Sequence, residues 1–551
     1  MVTEVLERLE APKLFTTLKN YSIRQFFSDG VAGIVVGIIA IPLGIAFAIA
    51  SGVSPEKGLF TAIVAGFLIS ALGGSRVQIG GPTGAFIIIV YGIVQKFGMD
   101  GLVVATFMAG FILILMGLAR LGTVVKFIPH SVVVGFTSGI ALVIFSSEVK
   151  DFLGLSMEAV PAGYIEKWRM IIEVLPTANN YSVAIAVFTL IVVALWPRVS
   201  RKVPGALIAI LITSAAVHFF GWPVETVGTR FGDLPHTLPA PHFPRLDFQI
   251  IQHLIEPAVT IALLGAIESL LSCVVSDGMI GGRHRSNVEL VAQGIANIGS
   301  AAVGGIPATG AIARTITNVR TGGRTPVAGI VHAITILFVM VFFGRWIKHV
   351  PLACLAGVLV MVSYHMSEWR SFRDLLKGSR GGALVLLSTF FLTVFVDLTA
   401  AIEIGMVLSA FLFMKRMADL TNVKVLDGSS DEDLSAPFTA PEGVEIYEVN
   451  GPLFFGAAHK FEEASRTVSK KPKVRILRLR NVPLIDSTGL YALRGFHQRC
   501  HQSGIHFFIA GLHAQPLNEL VKANLFDTIG EENVFPHIRE ALDHAERIMK
   551  P

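Results

Sequence analysis

A carboxylate stands in the middle of an apolar run, Leu263-Leu264-Gly265-Ala266-Ile267-Glu268-Ser269-Leu270-Leu271-Ser272. In a membrane-crossing helix such a charge costs about 2.5–3.5 kcal/mol even on the lenient insertion scale, so it needs a reason. Ser272 lies four residues on and shares its helix face. A carboxylate and a hydroxyl on one face can hold Na⁺, or the carboxylate can carry a proton. The plain alternative is a Glu that is only hydrogen-bonded or permanently protonated.

A second stretch, Gly304-Gly305-Ile306-Pro307-Ala308-Thr309-Gly310-Ala311-Ile312-Ala313-Arg314, lies in an apolar region yet cannot be an ordinary helix. Gly costs about 1 kcal/mol and Pro about 3 kcal/mol in a helix interior. The pattern predicts an extended piece at 304–308 and a helix beginning near Thr309. Gly80-Gly81-Pro82-Thr83-Gly84-Ala85-Phe86 echoes it earlier in the chain. A pair of Gly/Pro-interrupted apolar segments in the two halves points to a transporter binding site. Two half-helices would aim unpaired N–H groups, and a partial charge of roughly +0.5 each, at one place, and so attract an anion. Two unrelated kinks are the competing explanation; the repeated order Pro, Thr-Gly-Ala speaks against it.

Arg314, one turn into the second half-helix, would reinforce an anion site with fixed charge. It could instead pair with Glu268 or snorkel toward the cytoplasm with Arg320 and Arg324. Thr83 and Thr309 offer hydroxyls, and Phe47, Phe86 and Ile312 could supply apolar walls. A site built mostly of backbone suits a small anion that must leave again. Asp397 and Glu403 flank a turn between apolar segments and read as structural, as do His332 and His365. No nucleophile–base or metal constellation appears, so an enzyme is not expected. Cys273, Cys354 and Cys500 fit no metal or disulfide spacing.

These residues need a membrane scaffold. The chain has 551 residues, 52% hydrophobic and 15% charged, with mean hydropathy +0.64. That is the composition of a polytopic membrane protein. A span takes about 20 apolar residues. Fourteen are expected, near 31–50, 58–74, 77–97, 101–119, 129–148, 180–197, 203–221, 250–275, 286–303, 304–320, 325–345, 350–366, 380–396 and 399–418. They divide as seven plus seven, with the broken span third in each half. An odd number per repeat inverts the second repeat, so two half-helices can meet from opposite sides.

With the N-terminus inside, Lys and Arg favour the inner segments by about two to one, as the positive-inside rule requires. Net charge +5 is thus a topology signal and not a nucleic-acid footprint. Both termini are expected in the cytoplasm of a multi-pass inner (plasma) membrane protein. Residues 1–29 read as an N-terminal cytoplasmic or interfacial segment, with Leu6 and Leu9, then Leu14 and Leu18, at helical spacing. No cleavable signal peptide is evident.

Residues 30–420 form the transmembrane domain and 421–442 a linker, its polar heart at 425–437. Residues 443–551 alternate strands (444–449, 474–479, 506–510) with helices (457–469, 487–503, 515–524, 535–548), a small α/β domain. Asp486-Ser487-Thr488-Gly489 falls between a strand and a helix, which suits an N-cap or a regulatory phosphorylation site at Ser487 or Thr488.

Together these motifs carry a resemblance. Ile41-Pro42-Leu43-Gly44-Ile45-Ala46-Phe47-Ala48, Ser51-Gly52-Val53-Ser54-Pro55, Gly58-Leu59-Phe60, Gly80–Phe86, Pro307–Arg314, Gly322-Gly323-Arg324-Thr325-Pro326 and Asp486–Gly489 make the chain similar to the sulfate permease (SulP) family of anion transporters. The tail resembles a STAS domain. The resemblance implies core and gate domains with elevator-like motion, a homodimer, and a cytoplasmic protein partner for the STAS domain. It places the anion at the starts of helices three and ten, here Thr83, Gly84, Ala85 and Gly310, Ala311, Ile312, Ala313; Phe47, Phe86 and Arg314 join the candidate site from the reading of the residues above. The resemblance places Na⁺ at Glu268 and Ser272 with backbone at Gly310, Ala311 and Ile312. The family's Na⁺-dependent members carry Asp where this chain has Glu268, so H⁺ coupling stays open. Many carry Gln where this chain has Leu43.

The expected function is secondary transport of a small inorganic or carboxylate anion: sulfate, bicarbonate or a dicarboxylate. The alternatives are a passive anion channel on the same scaffold and a nucleobase permease of related fold. The STAS-like tail and Arg314 speak against the last.

Overall fold

A computed structural model of the chain describes residues 11–123, 128–157, 160–161, 163–200, 203–232, 235, 237–241, 248–396, 398–426, 440–466 and 472–550. They fall into two compact units, Met1–Met406 and Val407–Pro551.

The described part of the first unit is mainly helical, because a chain that crosses a membrane must satisfy its backbone internally. In order these are α1 (Ile23–Ala50), α2 (Pro55–Leu72), α3 (Ile87–Leu118), α4 (His130–Leu153), α5 (Tyr164–Val174), α6 (Asn180–Leu195) and α7 (Gly205–Phe220). The second set is α8 (Phe248–Ile280), α9 (Ser286–Ala302), α10 (Ile312–Thr321), α11 (Val327–Ile347), α12 (Leu352–Met366), α13 (Trp369–Lys377), α14 (Arg380–Phe395) and α15 (Leu398–Leu420). Among the described residues nine helices are long and apolar enough to cross a membrane, and α7 and α14 are shorter apolar helices.

Several boundaries differ from the sequence reading. Helix α1 starts at Ile23, capped by the Ser22 hydroxyl accepting from the Gln25 amide, so it takes in the last seven residues assigned to the N-terminal segment. Leu14 lies in a short helix, Lys13–Thr17, and Leu18 in the turn after it. Leu6 and Leu9 lie outside the described residues. The expected spans 77–97 and 101–119 correspond to α3, in which two helices meet at a kink at Gly98 (φ 67°, ψ −167°), where the sequence reading divides them; the first of them begins at Ile87 and not at 77. Helix α13 is an addition: its Trp369 ring carries the Arg370 and Arg373 guanidinium groups at 5.6 and 5.4 Å.

The extended piece at 304–308 is real, and the reason is specific. Its backbone has no ladder partner, so side chains substitute. Asn297 of α9 takes both polar groups of Ala308, accepting from its N–H and donating to its C=O, each at 2.9 Å. Thr61 of α2 accepts from the Ile306 amide at 2.7 Å, and Ser300 donates to the Ile306 carbonyl at 2.7 Å. Unmet, each buried group would cost about 1–3 kcal/mol. The chain then enters a two-residue strand, β2 (Thr309–Gly310), antiparallel to β1 (Gly80–Gly81), with Gly80 opposite Gly310 and Gly81 opposite Thr309. The second half-helix therefore begins at Ile312 and not near Thr309, because Thr309 and Gly310 are used in the ladder.

Two fully buried carboxylates tie loops to helices. Asp29 of α1 accepts from the amides of Arg324 (2.7 Å) and Thr325 (3.3 Å), the Thr325 hydroxyl (2.6 Å), Gln25 and Tyr21. Burial and this carboxylate push the Tyr21 phenol up to about 12, so it stays a donor at any physiological pH. Glu289 of α9 accepts from the Gly74 and Ser75 amides at 2.8 and 3.1 Å.

In the second unit one sheet runs in chain order: β3 (Asn422–Leu426), β4 (Val444–Asn450), β5 (Val474–Asn481), β6 (His506–Ala510) and β7 (Val534–Phe535). All neighbours are parallel except β3 with β4. Helices α16 (Phe455–Arg466), α17 (Ser487–Gln502), α18 (Ala514–Lys522), α19 (Leu525–Ile529) and α20 (Ile538–Met549) complete it around Tyr447, Phe461, Phe496 and Phe508. The start of the expected linker at 421–442 is thus sheet; residues 427–439 lie outside the described residues. Lys460 donates to the Ala418 carbonyl at 2.7 Å, a bond within this unit, which begins at Val407 inside α15.

Two outcomes are expected. Asp29→Ala should lower unfolding free energy by roughly 2–4 kcal/mol, since it strands two buried amides at once. Tyr21→Phe should cost about 1 kcal/mol or less. Denaturant titration of purified protein in detergent checks both, and equal losses would contradict this account. A Cβ added at Gly310 would lie 1.6 Å from Gln78 Nε2. Gly310→Ala should therefore cost about 1–3 kcal/mol by overpacking, and Gln78→Ala in the same chain should recover most of the melting temperature.

Candidate anion site

The β1–β2 ladder decides where the site is. The chain leaves an antiparallel ladder in opposite directions, and a helical segment starts within three residues of it on each side. On one side Thr83 precedes the turn Gly84–Phe86 that runs into α3; on the other Ala311 precedes α10. Neither start has a side-chain cap. The amides of Gly84, Ala85, Ile312 and Ala313 make no hydrogen bond to described residues. Four donors and two helix N-termini therefore gather near one short ladder, the arrangement that favours an anion.

Arg314 is buried, 3% exposed. Its Nη2 donates to the Pro82 carbonyl, in the other half of the chain, while its Nη1 has no partner among the described residues. Neither sequence alternative, pairing with Glu268 or reaching toward the cytoplasm, describes this. Gly81 is glycine for two reasons: φ is +147°, and a Cβ would lie 2.6 Å from Arg314 Nη1. Arg314 Nη1 thus lies close against β1 at Gly81.

Glu268 of α8 reaches the same place. Its carboxylate accepts from the Thr83 hydroxyl at 2.9 Å. Thr309 donates to the Gly265 carbonyl at 2.9 Å and shares a 2.6 Å hydrogen bond with Ser269. Ser269, which the sequence reading passed over, also accepts from the Gly310 amide at 3.1 Å. Ser272 is turned elsewhere and donates to Thr315 at 3.2 Å, and Thr315 in turn accepts from the Ile79 amide. Among the described residues no hydrogen bond joins Glu268 to Ser272. Asn318 donates to the Val77 carbonyl at 2.8 Å, so α10 holds the strand of the first half in place.

The walls are apolar. Phe47, Ala85 and Phe86 belong to one continuous buried cluster. Met366 of α12 and Ile144 of α4 close on Gly84, where a Cβ would meet them at 2.9 and 3.4 Å. Ile312 is half-buried and Ala313 is exposed. His332 is buried with neither ring nitrogen partnered among the described residues; His365 and Glu403 are exposed, and Asp397 lies outside the described residues.

In the second unit Asp486 caps α17, accepting from the Gly489 amide at 2.8 Å and from the Phe455 amide at 3.1 Å. Ser487 and Thr488 are exposed beside it.

The arrangement has relatives. Residues 26–389 match the model of the Sulfate permease family, and residues 436–541 match the STAS domain. The chain is 42% identical over 521 residues to "Putative sulfate transporter YvdB" of Bacillus subtilis, covering 94% of this chain and 98% of that one. It is 29% identical over 545 residues to the bicarbonate transporter BicA of a Picosynechococcus species, covering 95% of each. The structure of the murine anion transporter Slc26a9 in its inward-facing state shares the fold, with a TM-score of 0.88 over 98% of this chain and 94% of that chain at 19% identity. With a crossed pair of half-helices inside a matched permease domain and a STAS domain behind it, this chain belongs to the sulfate permease family and is not an enzyme.

Proposed function

We propose that this protein is a secondary active transporter of a small oxyanion, sulfate or bicarbonate before a dicarboxylate. The observation that carries it is the β1–β2 ladder, which sets four unpaired amides and the Arg314 guanidinium beside Glu268. The relatives named as sulfate and bicarbonate transporters support the substrate class. In this reading the oxyanion accepts from the amides of Gly84, Ala85, Ile312 and Ala313 and from Arg314, and from the Thr83 hydroxyl once a protonated Glu268 donates to that hydroxyl in place of accepting from it. Charge-assisted bonds of this kind are about twice as strong as neutral ones. The apolar walls at Phe47 and Phe86 keep the contact set small, so the guest can leave.

Glu268 couples the step. Its carboxylate holds Thr83 through one hydrogen bond, so a change in its charge acts directly on a ligand of the anion. A proton is the coupling ion that fits best, because Ser272 is occupied with Thr315. Na⁺ at Glu268, Ser272, Gly310 and Ile312 is the competing arm of the test. The scaffold in this reading is fourteen spans in a seven-plus-seven inverted repeat, a homodimer with both termini cytoplasmic, moving by an elevator-like displacement of the site-bearing helices against those carrying Ile144 and Met366. The STAS domain regulates it through a cytoplasmic partner at the exposed Ser487–Thr488 face.

Proteoliposome uptake of labelled sulfate, bicarbonate and fumarate, each with a Na⁺ or a pH gradient, tests this. One of the first two should accumulate. Glu268→Gln should remove the acceleration by the gradient while leaving anion exchange at zero gradient. Thr83→Val should raise KM for the anion roughly tenfold, the loss of about 1.4 kcal/mol in one bond. Uptake of none of the three by wild type, or a gradient response intact in Glu268→Gln, would overturn the proposal.

A further inference from the structure

A cavity of about 1370 Å³ is lined by the first half of α3, the last turns of α4, α5 and the start of α8. Two ionisable side chains on its wall are nine-tenths buried or more: Glu148 of α4, 6% exposed, and Lys167 of α5, 4% exposed. Charges so placed are kept for a reason. Lys167 Nζ donates to the Ser147 hydroxyl at 2.7 Å, and the neighbouring Trp168 donates to Ser146 at 3.1 Å, so α5 is pinned to α4 with the ammonium facing inward. An ammonium has three donors, and only one is used here. Glu148 accepts no hydrogen bond from a described residue.

The other charges nearby are committed or distant. Arg230 grips Asp151 with both terminal nitrogens, at 2.7 and 3.0 Å, and Glu225 through Nε at 2.8 Å. Glu225 is held below the usual carboxylate range by those bonds, and Arg230 above its usual value. Lys150 adds one more charge on α4. Tyr91 spends its hydroxyl on the Val160 carbonyl at 2.5 Å, and Tyr164 packs its ring on Phe395. Lys96 on α3 and His253 and Glu256 on α8 also line the cavity.

We propose that this cavity holds a second binding site for a small oxyanion, carried by the Lys167 ammonium with the Glu148 carboxyl beside it. The site rests on the anion-transport reading and deepens it: it is a waiting position from which the guest passes to the ladder. Burial lowers Lys167 to about 8 against the opposing pull of Glu148. The amine is neutral above that pH and no longer attracts an anion. Uptake therefore weakens through KM as the pH on the cavity side rises past about 8.

Initial rates of labelled sulfate and bicarbonate uptake are measured between pH 6 and 9 on proteoliposomes of the full chain, sorted for orientation. In wild type, KM for the transported anion should rise at least fivefold from pH 7 to 9 with kcat changed less than threefold. Lys167→Met should raise KM about tenfold at pH 7 and abolish that rise. Lys167→Arg, which stays charged and guards against a misfolded Met variant, should keep KM at pH 7 within threefold and also abolish the rise. Glu148→Gln should leave KM within threefold or lower it. An unchanged KM in Lys167→Met, a persisting rise in Lys167→Arg, or a tenfold higher KM in Glu148→Gln would overturn the second site. Absence of uptake in wild type would instead sink the transport reading itself.

Discussion

Four residues of β-ladder, buried among helices, are the constraint on which the membrane unit depends. Extended backbone in an apolar interior is tolerated only if every N–H and C=O finds a partner. Gly80–Gly81 and Thr309–Gly310 solve this for each other, and Asn297, Thr61, Ser300, Thr315 and Asn318 solve it for the residues on either side. The support runs both ways between the two halves of the chain: α2 holds the second extended piece, and α10 holds the first. Neither half can form its own half of the site alone.

This arrangement joins structure to mechanism. The amides released at the two helix starts are a necessary by-product of ending a strand and beginning a helix without a side-chain cap. Arg314 adds charge without occupying the guest's place, because its other terminal nitrogen is spent on Pro82. Glu268 sits one hydroxyl away through Thr83. Glu268 is thereby tied by one hydrogen bond to the residue that precedes a half-helix.

Much of this was legible in the chain. Gly-Gly-Pro-Thr-Gly-Ala and its echo gave away two interrupted segments, since Gly and Pro are the residues least able to continue a helix, and Glu268 announced itself by its apolar surroundings. Other features had no such signature. Whether Arg314 met Glu268 or Pro82 depends on crossing geometry, not on spacing. Ser269 and Ser272 share a helix with Glu268 and are chemically alike; only packing gave Ser269 to β2 at Gly310 and Ser272 to α10 at Thr315. Asp29, Glu148 and Glu289 sit near the ends of apolar stretches, where water is cheap to reach, and pass for interfacial charges until packing encloses them. Helix α13 was hidden because a nine-residue amphipathic segment between two apolar ones reads as a connection. Strand β3 was hidden because its partner lies beyond a polar stretch.

The Asp29 clamp also bears on how the molecule is made. Its partners at Arg324 and Thr325 follow it by 295 and 296 positions. At a ribosomal pace of about 5–20 residues per second, that separation is roughly 15–60 s of synthesis. For that interval the Asp29 carboxylate near the base of the first helix has, of its described partners, only Tyr21 and Gln25 to bond it, and the early strand waits nearly as long for its counterpart. The first half of the nascent chain is consequently incomplete until the second arrives. The contacts that join the two halves can therefore form only after both have been made.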